Sequence, residues 1–196
     1  QLYRVRCIAV HLVGGHEDKG AVRAIPAGGL QQMKGTRGVG IEIIEGDLAG
    51  RVDADKVAET GTPVVQINTG GGCHLDAPQV RSALQRLPLE EIDLLFIENV
   101  GNLVCPTGFA LGEHLNMMIA HVAEGDDKPI KYPGMFAAVD ALVLNKTDLL
   151  PYLDFDLGAF RTSVRALNPD VDFFLVSCRT GDGLEAWVEW LSRQSG

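Results

Sequence analysis

Clustered positive charge is what this chain has least of: 17 Lys and Arg stand against 26 Asp and Glu, a formal net charge of -9 at pH 7. Binding to a polyanion neutralises phosphates with Lys and Arg gathered on one face, so a nucleic-acid groove is excluded. Long apolar runs are missing too. No stretch approaches the roughly 20 apolar residues of a membrane helix, and the opening Gln1-Leu2-Tyr3-Arg4 has none of the regions of a signal peptide. A cytoplasmic protein is the expectation. Cysteines number four, Cys7, Cys73, Cys105 and Cys178, and aromatics make up only 6%. A chain of 196 residues that is 46% hydrophobic buries a core without disulfide staples, so free thiols or metal ligands are the better reading. No internal repeat or low-complexity linker divides the chain, and a single α/β domain spanning residues 1–196 is expected. The chain opens on Gln1 rather than Met, which fits a missing upstream segment.

What is present is organised around Leu94 to Pro106, LLFIENVGNLVCP. The run Leu94 to Glu98 reads as a parallel strand covered on both faces. Such a strand ends at the ligand crevice of an open α/β sheet, which places Glu98 where phosphate and magnesium are handled. Gly101 then lets the backbone approach a phosphate closely. Taken alone, the stretch reads more simply as a strand ending in an ordinary exposed acid and a turn glycine, and it is Asn145-Lys146-Thr147-Asp148 downstream that turns the balance.

Upstream, an apolar run from Val5 to Val13 leads into a glycine loop from Gly14 to Gly20. Gly15 and Gly20 keep the spacing of the two glycines in G-x-x-x-x-G-K-[ST], but Ala21 and Val22 stand where the lysine and hydroxyl belong. Lys19 is one residue early and is the candidate substitute, while Glu17 and Asp18 add negative charge. A plain glycine-rich loop explains the same residues. Pro26 and several glycines break any helix that would follow, so residues 1–40 are atypical and poor order is expected from about Ile25 to Gly40. Regular pattern returns at Ile41 to Asp47, a strand ending in a second carboxylate. Asp47 reads as a magnesium or switch acid, or as a helix cap or turn residue.

Asp53 to Thr60 looks helical, and Pro63 to Ile67 forms the next strand. The turn from Asn68 to Gly72 presents Cys73 and His74, ahead of an amphipathic helix through Leu84. Two ligands do not close a tetrahedral site. Cys105 is the natural third, and a soft Cys-His-Cys set suits zinc, nickel or copper. Residues Glu113 to Val122 read as a helix or a strand-entering segment, Glu124 to Pro133 as a charged loop, and Met135 to Val139 as a short helix. Ala141 to Leu144 is another buried strand, and it delivers Asn145-Lys146-Thr147-Asp148. In N-K-x-D the Asp carboxylate accepts both donors of the guanine edge, the Asn amide contacts the opposite edge, and the lysine stem lies along the ring. A helix from Gly158 to Leu167 and a strand from Asp172 to Val176 follow. The loop Ser177 to Gly181 then supplies backbone N–H groups to the guanine oxygen, which suits a small residue at Cys178. In the closing helix Leu184, Trp187, Val188 and Leu191 are spaced as a core-facing stripe.

From Ile41 to Leu191 these residues resemble the HypB family of hydrogenase nickel-incorporation GTPases, in the SIMIBI class of P-loop GTPases. The resemblance rests on IIEGDL, QINTGGGCHLDA, FIENVGNLVCP, EGDDKPIKYP and LNKTDLLPYLDFD. It implies a mostly parallel sheet flanked by helices and a GTP-dependent metallochaperone that assists nickel insertion into [NiFe]-hydrogenase. The urease-type nickel GTPase factor is similar in fold but lacks the ENVGNLVCP wording. The resemblance further implies that Cys73, His74 and Cys105 hold Ni2+ or Zn2+, that Asp47 and Glu98 serve Mg2+ and the γ-phosphate, and that Asn145, Lys146 and Asp148 read the guanine of GTP or GDP. Its implied partners are a second copy on GTP binding, a hydrogenase large-subunit precursor and a nickel chaperone. Gly71 stands where the family commonly has lysine, and the phosphate loop is not recognisable between Gly14 and Gly40. A metal-binding module with impaired or absent GTPase activity is therefore the alternative, and an altered upstream coding stretch would account for the break at Ile41.

Overall fold

The computed structural model describes residues 5–12, 40–47, 61–72, 74–100 and 110–194. Seven strands, β1 (Arg6–Leu12), β2 (Ile41–Asp47), β3 (Val64–Asn68), β4 (Leu94–Glu98), β5 (Leu115–His121), β6 (Ala141–Asn145) and β7 (Asp172–Leu175), form one sheet in the order β3-β2-β4-β1-β5-β6-β7. Every pairing is parallel. The flanking helices are α1 (Ala77–Leu84), α2 (Lys128–Lys131), α3 (Pro133–Ala137), α4 (Leu157–Leu167) and α5 (Leu184–Gln194).

Parallel strands sheathed on both sides need apolar side chains at odd and even positions alike, and all five residues of β4 and of β6 are buried. On one face Leu94 and Phe96 join Ile8, Ile43 and Met117 beneath Trp187, Val188 and Leu191 of α5. On the other, Leu95 and Ile97 pack with Val80 and Ala83 of α1. Further along that second face, Met118, Leu142 and Leu144 lie under Phe136 of α3 and Phe160 and Val164 of α4. The stripe expected on α5 is the buried one, and it also includes Trp190, whose Nε1–H donates to Asp172 Oδ2 at 2.7 Å and ties α5 to β7.

Capping fixes where the helices begin. Asp76 Oδ1 accepts from Gln79 N at 2.8 Å while Gln79 Oε1 accepts from Asp76 N at 3.0 Å, a capping box that starts α1 directly after the Cys-His pair. Asp156 caps α4 through Ala159 N at 2.9 Å. Two expectations are corrected. The charged loop Glu124 to Pro133 contains α2, because Lys128 pairs with Glu124 and Lys131 with Asp127 at helical spacing, and Pro129 lies in the first turn, where proline is tolerated. The helix expected from Met135 begins at Pro133, whose fixed φ suits a first turn. Residues 113–122, left open between helix and strand, contain β5. The Asp53 to Thr60 helix and nearly all of the stretch from Ile25 to Gly40 lie outside the described residues. Gly40 itself is held, donating its N–H to Asp93 Oδ2 at 2.8 Å.

Gly183, with φ +73°, sits where an added Cβ would come within 1.9 Å of the Leu175 carbonyl oxygen. Gly183→Ala is expected to lower stability by about 2–4 kcal/mol in urea denaturation, from left-handed strain and backbone overlap together. Gly134 in α3 has nothing within 4 Å of such a Cβ. Its change to Ala should be neutral or stabilising by up to about 1 kcal/mol.

Candidate functional site

Parallel pairing brings the carboxyl ends of all seven strands to one edge. The order places β1 between β4 and β5, so the chain turns to opposite sides of the sheet on leaving β1 and β4, and a ligand crevice belongs at that reversal. Asp47, Glu98, His121 and Asn145 close their strands along this edge. Asp47 is the register partner of Asn68. Glu98 is only 4% exposed, so the alternative of an ordinary exposed acid falls. Its register partner is Glu45, a second carboxylate at 3% exposure. Sequence patterning did not single out Glu45, because only pairing sets it beside Glu98.

The end of β6 and the loop after β7 are clasped together. Asn145 Oδ1 accepts from Lys146 N at 2.6 Å and from Cys178 N at 3.2 Å. Thr147 donates to the Val176 carbonyl through both Oγ1, at 2.9 Å, and its backbone N, at 3.2 Å. Ser177, fully buried, donates from Oγ to Asp148 Oδ1 at 2.7 Å, and its Oγ accepts from Thr180 N at 3.2 Å. All five residues expected at the guanine, Asn145, Lys146, Asp148, Ser177 and Cys178, are thus brought together by these bonds. Lys146 has φ 60° and ψ 33°, the one non-glycine left-handed residue among those described. Strain of about 1–3 kcal/mol persists at such a position only where surrounding bonds over-determine it, as they do here. Asn145 Oδ1 is thus committed to two backbone donors, and its side chain also hydrogen-bonds the Cys178 thiol. Ser177 holds Asp148 Oδ1, which fixes the orientation of the carboxylate.

Burial, reinforced by the charge of Asp148 and partly offset by Asn145, pushes the Cys178 thiol up to about 11. The thiol is therefore neutral at physiological pH.

His74, half-buried, immediately precedes Leu75, which is fully buried. Leu75 N donates to Asn99 Oδ1 at 2.8 Å, and Val100 N donates to the same atom at 2.9 Å. Cys73, Cys105, Gly101, Gly15, Lys19 and Gly20 lie outside the described residues. Among the described residues no three His, Cys, Asp or Glu side chains are grouped to hold a metal ion. No helix among them is long and apolar enough to cross a membrane. Gly71 has φ +96°, a conformation that suits glycine over the lysine of the resembling family. A further group along the edge escaped sequence reading: His121 Nε2 lies 3.1 Å from Glu124 Oε1, and Lys128 Nζ lies 3.3 Å from Glu124 Oε2. Its only signal was the histidine ending an apolar run.

The parallel sheet and its clasped loops define a nucleotide-binding domain of the P-loop GTPase fold. A family model described as "CobW/HypB/UreG, nucleotide-binding domain" matches residues 30–175. The hydrogenase maturation factor HypB of Azotobacter vinelandii is 54% identical over 156 residues, covering 80% of this chain and 52% of that protein. The Escherichia coli K12 HypB is 50% identical over 152 residues, covering 78% and 52%. Among solved structures, HypB from Helicobacter pylori in complex with nickel superposes with a TM-score of 0.83 at 31% identity, covering 95% of this chain and 86% of that one. HypB from Archaeoglobus fulgidus gives 0.80 at 30%, covering 97% and 91%. The chain belongs to the CobW/HypB/UreG family, among the HypB hydrogenase maturation factors. It spans about half the length of these two curated relatives.

Because a raised pKa keeps the thiol protonated until high pH, Cys178 is expected to resist iodoacetamide at pH 8 in the folded protein. Its labelling, followed by peptide mass spectrometry, should climb only as pH approaches about 11. Rapid modification at pH 8 would contradict the buried setting.

Proposed function

We propose that the chain is the guanine-nucleotide domain of a cytoplasmic hydrogenase maturation factor, a switch that binds nickel and assists its insertion into [NiFe]-hydrogenase. The observation that supports this reading is the clasp of Asn145 and Asp148 with Ser177 and Cys178, which brings an amide and an oriented carboxylate together at the end of β6, the pair of groups that guanine recognition calls for. Nickel is cargo here, held by Cys73, His74 and Cys105, a soft donor set that also accepts zinc. Magnesium fits the hard oxygen donors of Asp47 and Glu98 and supplies charge neutralisation for bound phosphates. Lys19, Gly15, Gly20 and Gly101 are the residues assigned to the phosphates.

The partners proposed are a second copy in the GTP state, the hydrogenase large-subunit precursor and a nickel chaperone. Tyr152, 81% exposed, and Leu153 extend from the turn that follows the base clasp, apolar surface that a second copy would cover. The urease-type alternative is not favoured, since the Azotobacter vinelandii and Escherichia coli relatives are hydrogenase maturation factors, and a relative named for both hydrogenase and urease is itself a HypB. A second reading rests on Ala21 and Val22 standing where a phosphate loop has lysine and hydroxyl. On that reading the domain binds metal and guanine but hydrolyses GTP poorly, having lost groups that contribute several kcal/mol of transition-state stabilisation. Single-turnover hydrolysis of radiolabelled GTP separates the two.

Asp148→Asn replaces an acceptor with a donor opposite the guanine edge. GDP affinity is expected to fall by about 100-fold, from loss of charge-assisted hydrogen bonds, while binding of xanthosine diphosphate, which has a carbonyl at that edge, should gain. Fluorescent-nucleotide titration reads both, and unchanged GDP affinity would remove the guanine assignment. Nickel affinity should differ by at least about 5-fold between GDP and a non-hydrolysable GTP analogue, and nickel must shift nucleotide affinity by the same factor. Equal nickel affinities would sink the switch.

A further inference from the structure

We infer that Asn99 is a positioning residue that joins the nucleotide edge to the segment carrying His74, with Leu75 as the moving part and Gly46 as its seat. The inference rests on the proposed function for what is coupled, and on geometry for how. Asn99 is 1% exposed, and its Oδ1 accepts both the N–H of Val100, its own chain neighbour, and the N–H of Leu75 from 24 residues away. The side chain of Leu75 is held from another direction. A Cβ added at Gly46 would lie 2.7 Å from Leu75 Cγ and 2.9 Å from each of its Cδ atoms, so leucine rests directly on the bare backbone of β2.

Each fixing point adjoins a carboxylate assigned to the nucleotide. Asn99 follows Glu98, and Gly46 precedes Asp47. Leu75 in turn follows His74 and precedes Asp76, the cap of α1. Its side chain is fully buried in the cluster between the sheet and α1, so it has no room to lag behind its supports. A shift of the β4 end carries Leu75 through the Asn99 hydrogen bond, and a shift of the β2 end carries it through the Gly46 contact. Either displacement moves His74 against the strand to which its neighbour is pinned. Because the two hydrogen bonds converge on one oxygen, a single side chain controls the joint. Among the described residues Asn99 Nδ2 meets no acceptor, so the side chain bonds through Oδ1, while the backbone N–H of Asn99 donates to the Val10 carbonyl at 3.1 Å.

The test compares wild type, Asn99→Ala, Gly46→Ala and, as a control of comparable packing loss in the other cluster, Val164→Ala. Three quantities are read on the whole chain: hydrogen exchange at the Leu75 amide, nickel affinity without nucleotide, and the ratio of nickel affinities with GDP and with a non-hydrolysable GTP analogue. In Asn99→Ala the Leu75 amide should exchange at least about 10-fold faster, as expected for a lost buried hydrogen bond. Nickel affinity should weaken by about 3–10-fold and the affinity ratio should fall to within about 2-fold of unity. Val164→Ala should leave the ratio at its wild-type value. Faster Leu75 exchange in Asn99→Ala with both nickel quantities unchanged overturns the inference and leaves the proposed function standing. A wild-type ratio of one overturns the switch instead, and nickel affinity without nucleotide still decides whether Asn99 positions the segment. If Asn99→Ala does not fold, Gly46→Ala reads the same joint from its other side.

Discussion

Pairing of β4 between β2 and β1 is the constraint on which the other features depend. Its five consecutive buried residues require cover on both faces, and parallel neighbours with helices above and below supply it. Register then has little freedom. A slip of one residue would exchange Phe96 with Ile97 between unlike clusters and carry Glu98 to the face occupied by Val80 and Ala83. The same pairing sets Glu98 beside Glu45 and brings the polar residues that close β2, β3, β4, β5 and β6 to one edge. Burying two carboxylates there is costly unless they are compensated by partners. An apolar sheet with this pattern therefore builds its polar chemistry in one place.

Along that edge the base clasp is preorganised by short polar side chains acting on backbone. Asn145, Ser177 and Thr147 each have few rotatable bonds, so fixing them costs little entropy compared with longer side chains. Their hydrogen bonds are buried or half-buried, where the lower dielectric strengthens them. The left-handed Lys146 stores the corresponding strain. A ligand meeting an amide and a carboxylate already oriented does not have to order them, which is where affinity is gained.

Strands were legible because a parallel strand buried on both faces leaves a nearly continuous apolar run. The expected Leu94 to Glu98 coincides with β4, and the strands at Ile41 to Asp47 and Ala141 to Leu144 fall within a residue of their observed bounds. The N-K-x-D string was legible because its chemistry is local. α2 was hidden by a composition of charges and prolines whose helical spacing matters more than its polarity. Asn99 was hidden for a different reason. Its partner is a backbone N–H 24 residues away, and no periodicity or local spacing records such a bond. The burial of Glu98 was likewise set by neighbours in space, since the residues before it are compatible with an exposed strand end.

The proposed base site and the proposed phosphate loop have separate origins in this chain. Every hydrogen bond of the clasp runs among residues 145–182, in the carboxyl half, and its strands β6 and β7 lie on the far side of β5 from β1. The unusual glycine loop follows β1 in sequence. Substituting a lysine and a hydroxyl in that loop alters the charge available to the phosphates, and it leaves the amide and carboxylate facing the base in place. The segment proposed to hold metal belongs to a third region, anchored through Leu75 to β2 and β4. On the proposed function, loss of phosphate-loop chemistry would therefore weaken coupling to His74 without dismantling either the clasp around Asn145 or the Asn99–Leu75 joint.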